Sequence, residues 1–343
     1  MNYIPPRRSD GTIQKQRVQL PWPKDKSFRI LSIDGGGICG ILPASVLAEL
    51  EHRFLGGKSI CSHFDMIAGT STGGIMALGL GSGMTASQVR DVYVERGNTI
   101  FPSGNWFVRQ LRKLRSVVRY KYDAKILESE LYRIFGNRVF GEARVRLCIP
   151  SFEGRHGEPW IYKTPHHPDY KNDQHERMVR VGMATAAAPT YFRAFENDGY
   201  FMVDGGIWAN NPIMNAVTDA LSCYAIDRRQ IQILSLGCGE TAFEVTRRRS
   251  VGGMISWRDV ISAAMRAQSK NALGQAYLLV GKDQVMRLDA PENAHPIDLD
   301  DFLRARDELP AMARSLVEAS GQEIARVFFQ TPAEAFQSAS INS

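Results

Sequence analysis

A serine between paired glycines is the first feature of this sequence that could perform chemistry. Ser71 is the centre of Gly69-Thr70-Ser71-Thr72-Gly73, and apolar runs precede and follow it. This pattern is typical of a nucleophile elbow, a sharp turn from strand to helix that exposes the serine hydroxyl. Gly69 and Gly73 suit the turn because it has no room for a Cβ atom two residues to either side of the serine. About 0.2 such pentapeptides are expected by chance in a chain with this glycine and serine content, so the motif requires partners.

Asp204 is the candidate partner of Ser71. An apolar run, residues 200–203, ends at this aspartate, and Gly205 and Gly206 follow it. Active sites of open α/β sheets lie at the carboxyl ends of the strands. Asp204 is therefore expected to lie close to Ser71, where it could accept the proton of the serine hydroxyl. An ordinary aspartate with a pKa near 3.9 is a weak base, so we expect a pocket that excludes water and raises that pKa. The alternative is an aspartate that only caps a turn.

A glycine loop, residues 34–40, is the third candidate. It reads Asp-Gly-Gly-Gly-Ile-Cys-Gly and lies between a predicted strand and a predicted helix. Successive glycine amides in that position can point at one anion, so the loop predicts a cradle for a phosphate or an oxyanion. Beside Ser71, such amides would stabilise the charge of a tetrahedral intermediate.

The same loop permits a dinucleotide-binding interpretation. Gly35, Gly37 and Gly40 satisfy the pattern G-x-G-x-x-G. Asp34 would, however, place a carboxylate beside the pyrophosphate, and the acidic residue expected about 20 positions later, at the end of a second strand, is missing. We therefore favour the oxyanion cradle, with a structural turn that binds nothing as the third interpretation.

The elements that would position these residues are those of an α/β protein. Apolar runs at residues 28–33, 64–68, 144–149 and 200–203 predict strands, and residues 85–140, 255–280 and 299–329 are predicted to be mainly helical. A chain of 343 residues with 44% hydrophobic content can bury a large core. We expect one large α/β domain.

Composition limits the cellular context. A net charge of +6 permits anionic partners such as membrane surfaces or nucleotides without selecting among them. Five widely spaced cysteines without a C-x-x-C pair predict reduced, buried thiols in an intracellular protein. His166 and His167 are predicted to lie in a surface loop and not at a metal. With no signal-peptide pattern and no run of about 18 apolar residues, any membrane contact is expected from outside the bilayer.

Two cationic segments are candidate anion-binding surfaces. No acidic residue occurs between Asn105 and Tyr122, and this segment contains Arg109, Arg112, Lys113, Arg115 and Arg119. It predicts a helical surface for anionic lipid or for an anionic effector, with the solvated face of an ordinary amphipathic helix as the alternative. The run at residues 247–249, three arginines, permits the same interpretations.

Along the chain the glycine loop comes first, the Ser71 pentapeptide second and Asp204-Gly205-Gly206 third, each after a predicted strand. This pattern resembles the patatin-like phospholipases. The segments at residues 184–192 (ATAAAPTYF), 203–212 (VDGGIWANNP) and 233–239 (ILSLGCG) match this family too, so the resemblance covers residues 28–239. It implies a three-layer α/β/α fold with a central, mainly parallel sheet. The implied domain is residues 28–330, with an irregular lead-in at 1–27 and a tail at 331–343.

The resemblance also implies a Ser-Asp dyad. In this family Ser71 would be the nucleophile, Asp204 the base, and the amides of Gly35, Gly36 and Gly37 the oxyanion donors. The supporting motif residues are Asp34, Gly40, Gly69, Gly73, Gly205 and Gly206. The implied reaction is hydrolysis of acyl esters in membrane glycerophospholipids, without metal or cofactor, by a cytoplasmic enzyme that contacts the inner face of the membrane peripherally. The family commonly has Arg or Lys at the position that Cys39 occupies in this sequence. Because cysteine carries no positive charge, no cation at that position shapes the oxyanion hole of this chain.

A regulatory expectation follows from the same resemblance. Compact patatin-like chains are similar to bacterial anti-phage effectors that degrade the cell's own membrane when a cyclic dinucleotide binds. An activating cyclic dinucleotide such as cyclic GMP-AMP is thus implied, homo-oligomerisation is left open, and no binding of long nucleic acid is expected. The alternatives are a constitutive lipid acyl hydrolase, an α/β-hydrolase-type esterase that uses His295, and a non-enzymatic module that binds lipid or a dinucleotide.

Overall fold

A mixed sheet of eight strands forms the centre of the molecule in the computed structural model, which describes residues 4–8, 17–102, 120–239, 260–291, 297–334, 336 and 338. The strands are β1 (Phe28–Ile33), β2 (Met66–Gly69), β3 (Arg146–Glu153), β4 (Glu158–Lys163), β5 (Phe195–Asn197), β6 (Tyr200–Asp204), β7 (Ile231–Leu236) and β8 (Val285–Leu288). Their order is β5-β6-β3-β2-β1-β7-β8, and β4 pairs with β3. The four pairings from β3 through β2, β1 and β7 to β8 are parallel, and the pairings at the other end are antiparallel.

Helices cover both faces of this sheet. They are α1 (Ile41–Phe54), α2 (Thr72–Gly81), α3 (Ala86–Ile100), α4 (Ala124–Phe135), α5 (Met178–Ala186), α6 (Gly206–Ala209), α7 (Ile213–Cys223), α8 (Val260–Val280) and α9 (Phe302–Phe328). Strand β1 shows the two faces, because its side chains alternate between them. Leu31 and Ile33 pack with α1 to α5 and α9, whereas Phe28 and Ile30 pack with α7 and α8. This arrangement confirms the predicted three-layer fold with a mainly parallel sheet.

The pairing of β3 explains how distant parts of the chain meet. Strand β4 pairs with β3 from Cys148 to Glu153 along one edge. The other edge of β3 is therefore shared: β2 pairs with its first half, and β6 pairs with its second half, where Ser151 lies opposite Asp204. Strand β6 thus occupies the row of β2 just beyond the end of β2. The residues that follow β2 and the last residue of β6 are brought together by this register.

Side-chain caps begin two of the helices that line the site described below. The Thr85 hydroxyl accepts a hydrogen bond from the Gln88 amide at 3.2 Å, and the Gln88 side chain accepts one from the Thr85 amide at 3.0 Å, which is a capping box at the start of α3. Asp123 caps α4 by accepting from the Lys125 amide at 3.0 Å. The caps fix where each helix begins and hence which residues face the sheet.

Two histidines lie inside the protein and not in a surface loop, so that prediction was wrong. His166 and His167 are 2% and 3% exposed. His166 Nε2 is 2.6 Å from Asp219 Oδ2, and Asp219 Oδ1 accepts from Lys163 and from Tyr170. The segment that contains His166 and His167 is polar because its side chains form a buried hydrogen-bond network. Polarity alone does not distinguish such a network from a solvated loop.

All five cysteines are buried and free, as predicted. Among the described residues, no helix combines the length and the apolar character that crossing a bilayer would require.

Candidate active site

Ser71 occupies a strained turn between β2 and α2. Its backbone has φ 55° and ψ −122°, a conformation that a residue with a side chain rarely adopts. A Cβ atom at Gly69 would lie 2.1 Å from the Gly73 carbonyl oxygen, and one at Gly73 would lie 2.3 Å from the Ile33 carbonyl oxygen. Both obstacles are backbone atoms, so no side-chain movement relieves the clash. The two glycines are required for the steric reason that the sequence predicts.

The Ser71 hydroxyl contacts the Asp204 carboxylate directly. Ser71 Oγ donates to Asp204 Oδ2 at 2.6 Å, and the Gly206 amide donates to Asp204 Oδ1 at 2.6 Å. Asp204 is 4% exposed. Burial raises the pKa of Asp204 to about 6, although the hydrogen bonds from Ser71 and Gly206 act in the opposite direction. The carboxylate is therefore a stronger base than an exposed aspartate and is still mostly ionised at neutral pH.

The end of helix α5 holds both of these residues in place. The Ser71 amide donates to Thr185 Oγ1 at 3.0 Å, and the Thr185 hydroxyl donates to the Pro150 carbonyl at 2.5 Å. The Asp204 amide donates to the Ala187 carbonyl at 3.0 Å. Thr185 is a positioning residue that the sequence analysis missed. The sequence feature that could have identified Thr185 is its hydroxyl group, because the other residues of the run 183–189 are apolar.

The glycine loop lies against Ser71, but one of its three amides is already used. The Gly35 amide donates to the Asn210 carbonyl at 3.0 Å, so the prediction of Gly35 as an oxyanion donor is corrected. Within the part of the chain that the structure describes, the amides of Gly36 and Gly37 have no acceptor. Gly37 has φ +55°, and a Cβ atom there would lie 2.4 Å from the Leu299 carbonyl oxygen. The free donors are therefore Gly36 and Gly37.

Asp34, the first residue of the loop, is anchored by an arginine from β8. Arg287 Nη2 donates to Asp34 Oδ2 at 2.7 Å and to Asp289 Oδ2 at 2.5 Å, and Arg287 Nη1 donates to Ser235 Oγ at 2.9 Å. Burial by itself would lower the pKa of Arg287, but the two carboxylates raise it above its ordinary value. The Asp34 carboxylate thus fixes the loop to the sheet. The sequence analysis missed this contact.

A cavity of about 490 Å³ includes Ser71 and Asp204 in its wall. Much of its lining is apolar and comes from α2, α3, α4 and the loop after α5: Ile75, Val92, Ile100, Leu127, Leu131 and Phe192. Glu130 also lines it, held by Arg96 at 2.7 and 2.9 Å. The volume is in the range of small-molecule sites, roughly 300–1,000 Å³. The arrangement brings a serine hydroxyl, a buried carboxylate and an apolar chamber together in one place.

Some of the predicted residues fall outside the part of the chain that the structure describes. The cationic residues Arg109, Arg112, Lys113, Arg115 and Arg119, and those at 247–249, lie outside the described residues, as does His295. Among described residues, His166, Asp219 and Cys223 bring potential metal ligands within 4.8 Å of one another. The Lys163 ammonium is already bound to Asp219, and burial raises the pKa of the Cys223 thiol to about 11. The cluster is arranged as a hydrogen-bond network with Lys163 as its cation.

Comparisons with known proteins identify the relatives of this chain. The family described as patatin-like phospholipase matches residues 31–217. A protein named cGAMP-activated phospholipase from Pseudomonas aeruginosa is 32% identical over 258 residues, which cover 73% of this chain and 75% of that protein. One of the same name from Vibrio cholerae is 34% identical, with coverages of 61% and 63%. Patatin-like protein 2 from Arabidopsis thaliana is 32% identical, with coverages of 66% and 64%. The chain thus spans less than two thirds of the latter two proteins.

Proposed function

Because the chain belongs to the patatin-like phospholipase family, we propose that it hydrolyses acyl esters of membrane glycerophospholipids, with Ser71 as nucleophile and Asp204 as base. The observation that carries this proposal is the 2.6 Å hydrogen bond from Ser71 Oγ to Asp204 Oδ2. A serine hydroxyl becomes nucleophilic when a neighbouring base accepts its proton, and Asp204 is in position to do so without an intervening histidine. The apolar cavity beside the pair suits an acyl chain.

The proposed reaction has two balanced halves. Ser71 Oγ attacks the ester carbonyl carbon as its proton passes to Asp204, and the amides of Gly36 and Gly37 stabilise the oxyanion. The intermediate collapses, the bond to the lysolipid oxygen breaks, and Asp204 returns the proton to that oxygen. Water then attacks the acyl-enzyme, giving one proton to Asp204. The fatty acid leaves, and this proton returns to Ser71 Oγ.

The elevated pKa of Asp204 predicts an acid limit to activity. Because the carboxylate must be ionised to accept a proton, kcat/KM is expected to fall as the pH drops below about 6, approaching tenfold per pH unit. The measurement is a pH profile with a neutral short-chain ester, so that no substrate group titrates, with circular dichroism at each pH to verify folding. A rate that stays constant down to pH 4.5 in the folded protein would contradict this role.

Control by a cyclic dinucleotide is the second part of the proposal. Two of the relatives described above are named cGAMP-activated phospholipases. An enzyme that degrades membranes needs a signal, since unregulated activity would harm the cell that makes it. We infer that a cyclic dinucleotide activates this chain, which then acts peripherally at a membrane.

Fatty-acid release from phospholipid vesicles tests both parts of the proposal. The assay has three conditions: no nucleotide, cyclic GMP-AMP, and an equal mixture of the mononucleotides GMP and AMP. Each condition is measured with the wild type and with Ser71→Ala. We expect cyclic GMP-AMP alone to increase release at least tenfold, and only in the wild type. Equal release in all wild-type arms would favour a constitutive hydrolase. Vesicle binding without release in any arm would favour a non-enzymatic module.

A further inference from the structure

The side chain of Asn210 has a buried oxygen without a hydrogen-bond donor. Asn210 follows α6, and its backbone carbonyl accepts from the Gly35 amide. Its side-chain Nδ2 lies 3.2 Å from Ser269 Oγ on α8. Among the residues that the structure describes, none donates to its Oδ1. An unsatisfied buried acceptor costs stability, so its presence requires an explanation.

The carboxamide of Asn210 lies beside both members of the proposed dyad. Asn210 Oδ1 is 2.6 Å from the point where a Gly35 Cβ atom would stand, and Ser71 Cβ is 3.3 Å from the same point. Asn210 Oδ1 is also 3.2 Å from the point of a Gly206 Cβ atom, from which Asp204 Oδ1 is 3.0 Å away. The three side chains share the wall of one cavity. Because glycine has no side chain, the space between Asn210 and Ser71 stays open at Gly35.

A half-turn of the carboxamide gives its oxygen a hydrogen-bond donor and turns its nitrogen toward Ser71. The oxygen and nitrogen of an asparagine side chain have nearly the same shape, and their assignment follows from the hydrogen-bond network. After the rotation, the amide oxygen accepts from the Ser269 hydroxyl, and Nδ2 faces Ser71 with its N–H groups. The buried acceptor is then satisfied. An N–H donor is then available on the Ser71 side of the carboxamide, where a substrate ester oxygen that gains negative charge could accept it.

We propose that the carboxamide of Asn210 is an oxyanion-hole donor, acting with the amides of Gly36 and Gly37 in place of the Gly35 amide. This inference rests on the proposed hydrolysis at Ser71. Ser269 is a positioning residue, because its hydroxyl holds the carboxamide in the donating orientation. The backbone carbonyl of Asn210 meanwhile holds Gly35, so one residue aligns the glycine loop and adds to its function.

Asn210→Ala tests the inference. We expect kcat to fall about 100-fold or more, the effect of removing one oxyanion donor, while KM for the lipid stays within threefold. The apparent pKa in the pH profile should stay near that of the wild type, because Asn210 does not ionise. Ser269→Ala should lower kcat about tenfold. The double variant should be no slower than Asn210→Ala, since both changes remove the same donor.

Gln268→Ala is the matched control. Gln268 precedes Ser269 on α8 and holds the same turn through two hydrogen bonds to the Asn211 backbone, at 3.1 and 3.3 Å. If Asn210 only supports the turn, Gln268→Ala should reduce kcat as strongly as Asn210→Ala. A donor role predicts a kcat within threefold of the wild type for Gln268→Ala. Thermal unfolding of all variants verifies folding.

Phosphonylation of Ser71 by a fluorophosphonate separates this inference from the proposed function, because the reaction also places negative charge on an oxygen beside Ser71. If the wild type releases no fatty acid, the proposed function fails, and the phosphonylation rate of Asn210→Ala then decides the inference. Asn210→Ala within threefold of the wild type in both assays would overturn the donor role. A wild type inert in both assays would overturn both proposals.

Discussion

Replacing Ser71 by alanine is expected to lower acyl-ester hydrolysis by about 10⁴-fold or more and to leave the fold intact. The variant removes the atom that would form the acyl-enzyme, and no other described hydroxyl donates to Asp204. Asp204→Asn is expected to reduce hydrolysis by a similar factor, because an amide keeps the shape of the carboxyl group but cannot take the proton. The measurement is fatty-acid release under the activating condition, with the uncatalysed rate subtracted.

Stability provides the control for these two variants. Asp204 is buried, and burial raises its pKa, so its ionised form costs folding free energy at neutral pH. Asp204→Asn should therefore unfold at a temperature no lower than the wild type. A folded variant of either kind that hydrolyses phospholipid at a near wild-type rate would contradict the dyad.

Arg287→Ala is expected to lower the free energy of unfolding by about 3–5 kcal/mol, the cost of removing one partner of a buried ion pair. The Arg287 and Asp34 side chains are 12% and 4% exposed, and the variant leaves the Asp34 carboxylate without this cation. Activity should fall too, because Asp34 anchors the glycine loop. Urea unfolding followed by circular dichroism measures the first effect.

An exposed pair gives the matched comparison. Arg306 and Asp307 on α9 form an ion pair at 2.7 Å, with side chains 43% and 61% exposed. Arg306→Ala should leave the urea midpoint unchanged, because solvent screens such a pair. Adding Asp34→Asn to Arg287→Ala should recover part of the lost stability, since it removes the buried carboxylate charge that Arg287 no longer offsets. A midpoint for Arg287→Ala equal to that of Arg306→Ala would contradict the anchoring role.

The central strands could be predicted because both of their faces are covered. Buried parallel strands appear as continuous apolar runs, and the run at residues 28–33 is strand β1. Strand β4 (Glu158–Lys163) was missed because it is an edge strand with a mixed sequence. Strand β5 (Phe195–Asn197) has only three residues. Pairing with β3 and β6 forms these strands, and local sequence preference contributes little.

The candidate site could be predicted from the sequence only where its residues belong to local motifs. Ser71 and Asp204 lie in local motifs that contain glycines, because their turns leave no room for larger side chains. Thr185 contacts Ser71 from 114 positions away, and Arg287 contacts Asp34 from 253 positions away. No local pattern marks such partners. Likewise, the type of residue 35 does not reveal that its amide already donates to Asn210.

Serine-directed labelling tests the central claim most directly. A fluorophosphonate probe reacts with a serine whose hydroxyl is activated by a base, and mass spectrometry of the digested protein locates the adduct. The dyad predicts one adduct, on Ser71, with labelling at least 100-fold slower in Asp204→Asn. An adduct on another serine, or labelling of Ser71 at the wild-type rate in Asp204→Asn, would contradict the account.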